Sequence, residues 1–181
     1  MLTPRSILPF RGSVADGFTL VELIAVVALV GILSVIALPS FLHLRSARDG
    51  AAAQQLYNDL IFARQRAVAI GVPHWVAIDT QAQQWVLLME SASDPGKTNA
   101  SALDDPATGR SFVQTLDTED FSGVTFAEVN FDGGPDIGFD AAGRPLNDSE
   151  NPLSQEGVAR FVRGHTVTIT PGTGLVSYLL P

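Results

Sequence analysis

Between Phe18 and Leu38 the chain reads FTLVELIAVVALVGILSVIAL, twenty-one residues whose only charge is Glu22. Wound as a helix, a run of that length is roughly 30 Å long, the thickness of a hydrocarbon core. A secretory signal peptide has a shorter apolar centre and a small-residue cleavage site, and Ala37-Leu38-Pro39 matches such a site poorly. The run therefore reads as a transmembrane helix. A carboxylate in hydrocarbon is unfavourable by roughly 2.5–3.5 kcal/mol or more, so Glu22 needs a partner or access to interfacial water. Arg5 and Arg11 before the run are matched by Arg45 and Arg48 after it, and charge alone leaves the orientation tied. Gly31 and Pro39 punctuate the helix, and local loosening is expected around both.

The full chain has 181 residues, enough for one modest domain beside the apolar segment, and contains no cysteine. Disulfides and thiolate metal sites are excluded. The formal net charge is −8, unevenly spread: Arg45, Arg48, Arg64 and Arg66 lie between residues 40 and 70, whereas fifteen acids face five bases beyond residue 70. An acidic domain argues against phosphate-backbone binding, so no nucleic acid partner is expected.

Gly17-Phe18-Thr19-Leu20-Val21-Glu22 resembles the processing signal shared by type IV pilins and type II secretion pseudopilins. Gly31 and Pro39 also stand where that family commonly has them. The resemblance implies a leader, residues 1–17, cut from the chain after Gly17 by a membrane-embedded prepilin peptidase. Phe18 would become the N-methylated new terminus. Asp16 departs from the basic or neutral residue usual before the glycine. Orientation is then settled: leader in the cytoplasm, single pass through the bacterial inner membrane, remainder in the periplasm. Phe18, Glu22, Gly31 and Pro39 become the expected assembly residues. The implied partners are other pilins or pseudopilins in a filament, the peptidase, an inner-membrane assembly platform and membrane lipid.

Glu22 gains a physical role on this reading. Cleavage leaves a cationic amine on Phe18, and the Glu22 of a second helix shifted along its axis can meet it. Two unfavourable buried charges become one pair, which sets the stagger of neighbouring subunits as a lone polar group sets coiled-coil register.

After Pro39 the helical pattern continues, with Leu42, Ala53, Leu56, Leu60, Ala63, Ala67 and Ile70 mostly three or four apart and Gly50 as a candidate kink. Gly71 and Pro73 end it. Phe18 to Ile70 amounts to about 53 residues, roughly 80 Å of helix if unbroken. The expected organisation is residues 1–17 leader, 18–39 membrane and assembly helix, 40–72 amphipathic second half, and 73–181 a β domain. Within that domain HWVAID (His74–Asp79) and WVLLME (Trp85–Glu90) read as a hairpin. SFVQTL, VTFAEVNF and DIGFD are further strands, and FVRGHTVTIT with LVSYLL form a second hairpin turning at Pro171–Gly174. The segments SASDPGKTNASALDDPATGR and AAGRPLNDSENPLSQEG read as loops, the first of them mobile. The fold class is α+β: a long N-terminal helix, transmembrane in its first half, packed on a small antiparallel sheet domain, as in type IV pilins.

No catalytic constellation emerges. His43, His74 and His165 fall on different predicted elements, and no zinc-protease, nucleophile-elbow or phosphate-loop motif is present. The chain reads as a non-enzyme without a cofactor. Asp132, Asp136 and Asp140 supply oxygen ligands for calcium, known in some major pseudopilins, but the spacing lacks the alternation of a calcium loop and turn chemistry accounts for it. Trp75, Trp85 and Tyr178 read as core rather than a binding platform. Arg160 and Arg163 lie near the last hairpin, where some minor pilins bind DNA beside a terminal glycine-arginine motif; GTGLV has no such arginine.

LIFARQRA (Leu60–Ala67), the Trp75/Trp85 hairpin, and Ile137-Gly138-Phe139 leading to Gly143-Arg144-Pro145 resemble the minor pseudopilin H and FimT-type minor pilin group. The closing TPGTGLV is similar to minor pilins of mannose-sensitive haemagglutinin-type pili. Lack of a C-terminal disulfide departs from most major pilins, and Glu22 argues against the tip pseudopilin that lacks this acid. The expected function is a minor pilin or pseudopilin of a type IV pilus or type II secretion pseudopilus, supporting filament assembly or protein secretion. The alternative is a membrane-anchored periplasmic ligand-binding protein that does not polymerise.

Overall fold

The computed structural model describes residues 18–106, 108–116 and 118–181, and between 35 and 44 it describes secondary structure without side chains. Two compact units divide at Phe41 and Leu42. A single helix, α1 (Leu20–Ile70), contains the apolar run. Neither Gly31, Pro39 nor Gly50 interrupts it as a helical element. Its C-terminus closes as expected, with Gly71 N donating to Ala67 O at 2.9 Å and Pro73 following.

Among the described residues ten strands follow: β1 (His74–Asp79), β2 (Gln84–Met89), β3 (Ser101–Ala102), β4 (Val113–Thr115), β5 (Phe126–Asn130), β6 (Ile137–Phe139), β7 (Pro145–Leu146), β8 (Gly157–Phe161), β9 (Thr166–Ile169) and β10 (Val176–Leu179). They form two antiparallel sheets. The first runs β3-β2-β1-β6-β7, with β4 also on β2; the second runs β10-β9-β8-β5. The expected first hairpin forms, with His74 opposite Met89 and Ile78 opposite Trp85. Period two then puts Val76, Ile78, Trp85 and Leu87 on one face.

That face and α1 make the core. Ala52, Ala53, Leu56, Leu60, Ala63 and Ala67 are fully buried on the helix, five of them in the expected stripe. Four are alanines, which favour helix and let backbone and sheet approach closely. Ile70, placed in the stripe by spacing, is exposed because it lies in the final turn beyond the sheet. Opposite the stripe stand Val76, Ile78, Trp85, Ile137 and Phe139 from the first sheet and Phe126, Phe161, Val167 and Ile169 from the second. Such a position is worth about 2–5 kcal/mol against truncation to Ala.

Three expectations change. The stretch Phe161–Thr170 is the last residue of β8, a turn and β9 rather than one strand: Phe161 N donates to His165 O and Gly164 N to Phe161 O, reversing the chain between β8 and β9. An apolar-polar alternation hides a three-residue turn when the turn carries valine and arginine. The segment after Ser91 is an ordered excursion, with a short helical turn at Lys97–Asn99, strand β3 and a buried Leu103. Gly50 is a point of contact rather than a kink. A β-carbon there would lie 3.1 Å from His165 Cε1 and 3.5 Å from the Tyr178 hydroxyl, so glycine lets the second sheet come up against the helix.

Candidate functional site

The start of α1 is built around Thr19 and Glu22. Thr19 Oγ1 accepts from Glu22 N at 3.2 Å, while Thr19 N and Oγ1 both donate to Glu22 Oε2 at 3.4 Å. Threonine before the first turn and glutamate three residues on make a capping box, which satisfies orphaned backbone donors and sets an acid at the positive end of the helix dipole. The Thr-x-x-Glu spacing of Thr19 and Glu22 is the sequence signal for this cap. Within one chain, then, Glu22 already has partners.

Around this cap the helix offers apolar surface on every side. Phe18, Leu20, Val21, Leu23, Ile24, Val26, Val27, Leu29, Val30, Ile32 and Leu33 are between 49% and 82% exposed. A helix apolar all round calls for lipid or neighbouring helices. At Gly31 an added β-carbon would meet nothing within 4 Å, so this glycine serves no contact inside the chain. Gly17 lies outside the described residues, as do the side chains of Pro39 and His43. Among the described residues no helix is long and apolar enough to cross a membrane, and the side chains of the run are described only as far as Ser34.

Farther along, three polar anchors hold α1 to its domain. Asp49, fully buried, takes the Arg163 guanidinium on Oδ1 at 2.6 Å and the Arg163 backbone N–H on Oδ2 at 3.0 Å. Asp59, 3% exposed, accepts from the Trp85 indole at 2.7 Å and from the Gln55 amide at 2.9 Å. Burial pushes its pKa up to about 6 although both hydrogen bonds oppose the rise. Arg64 reaches two turns at once, its Nε donating to Gly143 O and its Nη2 to Thr173 O, each at 3.0 Å. Gly174 makes the second turn possible: φ is +63°, and a β-carbon would lie 2.5 Å from Gly143 O.

On the other face of the first sheet, Trp75 is sealed by the excursion after β2. Its indole donates to Glu90 Oε1 at 2.7 Å, Gly96 N donates to Glu90 Oε2 at 2.8 Å, and Lys97 Nζ lies 5.6 Å from the ring centre. The same ammonium pairs with Asp136 at 2.7 Å and with Asp148. Burial disfavours the Lys97 charge, but hydrogen bonds to those carboxylates outweigh it and raise its pKa. The three aspartates weighed for calcium are thus engaged separately. Asp132 accepts from Ser154, Asp136 from Lys97 and the Ile78 N–H, and Asp140 from Arg144 and Ala142. Among the described residues no group of three or more His, Asp or Glu side chains is placed to hold a metal.

His74 is buried at the start of β1 and His165 in the turn just before β9. His74 Nδ1 sits 2.8 Å from Val72 O, and burial lowers its pKa. His165 Nδ1 meets the Tyr178 hydroxyl at 2.7 Å under a parallel ring stack. Trp75 and Trp85 are fully buried and Tyr178 half-buried, so no aromatic platform faces solvent.

The model of the family described as type II transport protein GspH matches residues 52–174. No curated protein matches the sequence. Two solved structures of the minor pseudopilin EpsH from the type 2 secretion system of Vibrio cholerae are similar. One has 13% identity and a TM-score of 0.55, over 74% of this chain and 96% of that one. The other has 15% identity and a TM-score of 0.56, over 75% and 96%. At these identities the likeness concerns fold: a helix packed on antiparallel sheets. The family match begins within the buried stripe of α1 and ends in the last hairpin turn, so it spans the Arg64, Gly143 and Gly174 junction. With more than half of its residues matched, the chain belongs to the GspH family of type II transport proteins.

Proposed function

We propose that this protein is a minor pseudopilin that assembles through its N-terminal helix into a type II secretion pseudopilus. On this reading residues 1–17 are a leader, prepilin peptidase cuts between Gly17 and Phe18, and Phe18 is N-methylated. Residues 18–39 hold the chain in the inner membrane and later in the filament, 40–72 continue the helix into the periplasm, and 73–181 form the periplasmic domain. Its partners are other pseudopilins, the peptidase, the inner-membrane assembly platform and lipid, and its role is structural rather than catalytic.

The observation that carries the proposal is the stretch from Phe18 to Leu33, apolar and exposed on all sides, with one acid in the first turn of its helix. A surface of that kind calls for a bilayer and then neighbouring helices. Membership of a type II transport family favours secretion over a surface pilus. It also favours assembly over a solitary periplasmic binding protein.

Mass spectrometry of the chain from cells with an active peptidase tests the processing step, and disulfide trapping between cysteines placed in neighbouring helices tests assembly. The expected results are a mature chain beginning at methylated Phe18 and trapped heteromers with other pseudopilins. Recovery of the chain with its first seventeen residues attached, or trapping no greater than for an unrelated membrane protein, overturns the proposal.

A further inference from the structure

We propose that the open edge of β10 takes an extended, uncharged segment of another protein as an added strand of the second sheet. The inference concerns the domain alone, so its failure would leave the reading as a pseudopilin intact. That reading enters only where a second copy is set aside.

Three of the four sheet edges are closed by the chain itself. β5 carries a register shift between Phe126 and Glu128, an exposed Glu128–Arg160 pair, and a Phe126 N–H that donates to Gln83 Oε1 at 2.9 Å. β7 is two residues long and begins with Pro145. The returning chain covers it, with Leu153 N donating to Pro145 O and Leu146 bridging Pro152. β3 and β4, on the remaining edge of the first sheet, are two and three residues long. An excursion folded on itself parts them, Phe112 N donating to Leu103 O at 2.7 Å. Bulges, charges, proline, very short strands and covering segments are the means by which edges avoid unwanted pairing. β10 shows none of these. Together with Leu175 it pairs with β9 in unbroken register, and no Asp, Glu, Lys or Arg stands anywhere from residue 164 to residue 181.

Thr170 N donates to Leu175 O at 2.9 Å, which fixes the phase of the β9–β10 ladder. Counting by two along the register, Ser177 and Leu179 face hydrogen-bonding partners in Thr168 and Thr166. The N–H and C=O groups of Val176 and Tyr178 are therefore aimed away from β9, and among the described residues none of the four has a partner. Leu175, Leu179 and Leu180 on this strand and its flanks are between 52% and 73% exposed, as is Val162 in the turn before β9. A β-carbon at Gly164 would lie 2.8 Å from Pro181 Cβ, so the last residues of the chain lie against that same turn. Alternating backbone donors and acceptors call for an extended chain, and flanking leucines without a charge call for apolar or hydroxyl side chains on it.

A second copy does not meet these terms. Arg64 holds Thr173 O at the start of the return, and Gly50 lies beside the Tyr178 hydroxyl, so β10 runs back along α1. Two β10 strands paired antiparallel about a two-fold axis would set their helices in opposite directions, which copies anchored in one membrane cannot do.

The test uses the full chain in detergent micelles. The probe is a capped peptide copying residues 164–171, the β9 sequence that already pairs with the other side of β10. Amide hydrogen exchange, corrected for intrinsic rate, is followed by NMR at Val176, Ser177, Tyr178 and Leu179. Without peptide, Val176 and Tyr178 are expected to exchange faster than Ser177 and Leu179. Saturating peptide should slow Val176 and Tyr178 by roughly fivefold, the worth of one hydrogen bond, and leave the other two unchanged. The double variant Leu175→Lys, Leu179→Lys places charge at two exposed positions and should keep its melting temperature while losing the response. Equal protection at all four amides without peptide shows that the chain covers its own edge and overturns the proposal. A peptide that slows neither Val176 nor Tyr178, or slows them equally in the lysine variant, also overturns it. Protection at Tyr178 that rises with protein concentration in the absence of peptide gives the edge to a second copy, and the proposal falls.

Discussion

Arg64 joins two turns that are far apart in sequence: its Nε bonds Gly143 O and its Nη2 bonds Thr173 O. Three of the segments that carry the resemblance meet here: Arg64 belongs to LIFARQRA and bonds GFDAAGRP and TPGTGLV. Because the fork fits two carbonyls at fixed separation, Lys is not a substitute. Arg64→Lys and Arg64→Ala are both expected to lower stability, by about 1.5–3 kcal/mol for the alanine variant, since hydrogen bonds from a charged donor are lost. Denaturant unfolding of the full chain in micelles measures it. Equal stability of the lysine variant and wild type would refute the two-turn role.

The Asp49–Arg163 pair predicts an asymmetry. Asp49 is fully buried whereas Arg163 is partly open to water. Removing the arginine strands a buried carboxylate, expected to cost about 3–5 kcal/mol. Asp49→Asn leaves a cation that can hydrate and should cost less. Unfolding free energies of Arg163→Ala and Asp49→Asn, compared side by side, decide the point; the reverse order contradicts it.

At Gly50, a side chain larger than hydrogen competes with His165. Gly50→Leu should push the His165–Tyr178 pair aside and destabilise by about 1–3 kcal/mol despite better helix propensity. Gly31→Ala, with open space around it, has only the propensity gain and should not lower thermal stability. Melting curves of the two variants separate packing from propensity.

Lys97 stands between Asp136 and Asp148 and beneath Trp75. Lys97→Met removes the cation and leaves two carboxylates facing each other, so a fall in melting temperature is expected, along with greater exposure of Trp75 to quencher. Calcium is expected to leave the wild-type melting temperature unchanged, because Asp132, Asp136 and Asp140 each have other partners. A rise of several degrees on adding calcium would mean that the ion displaces them.

Glu22 has a local role and a proposed intermolecular one, and Glu22→Gln separates them. Glutamine preserves the capping box but carries no charge. The variant should insert, be cleaved and stay helical, yet enter filaments poorly. Wild-type incorporation measured by crosslinking would remove the charge-pairing hypothesis and leave only the cap.

Much of the architecture was legible because it follows from periodicity. The apolar run, the alanine-rich stripe from Ala53 to Ala67 and the β1–β2 hairpin each repeat at the spacing their element demands. What escaped was short or nonlocal. The turn at Arg163 hid inside a longer alternation, β8 lay just before it beside a stretch that read as a loop, and the excursion after Ser91 looked unanchored because its anchors, Asp136, Asp148 and Glu90, lie on other segments. The role of Arg64 was not legible either, since its acceptors are backbone carbonyls and carry no sequence signature.

From its residues alone the chain was determined to be a helix apolar on all sides, continued by one amphipathic half and closed by an antiparallel domain. Hydropathy and period are local properties, and local properties survive in a linear string. Only tertiary structure decided which buried charges are compensated: Asp49 meets a guanidinium and Asp59 does not. That difference depends on residues more than a hundred positions apart being brought within hydrogen-bonding distance, which no spacing rule along the chain encodes.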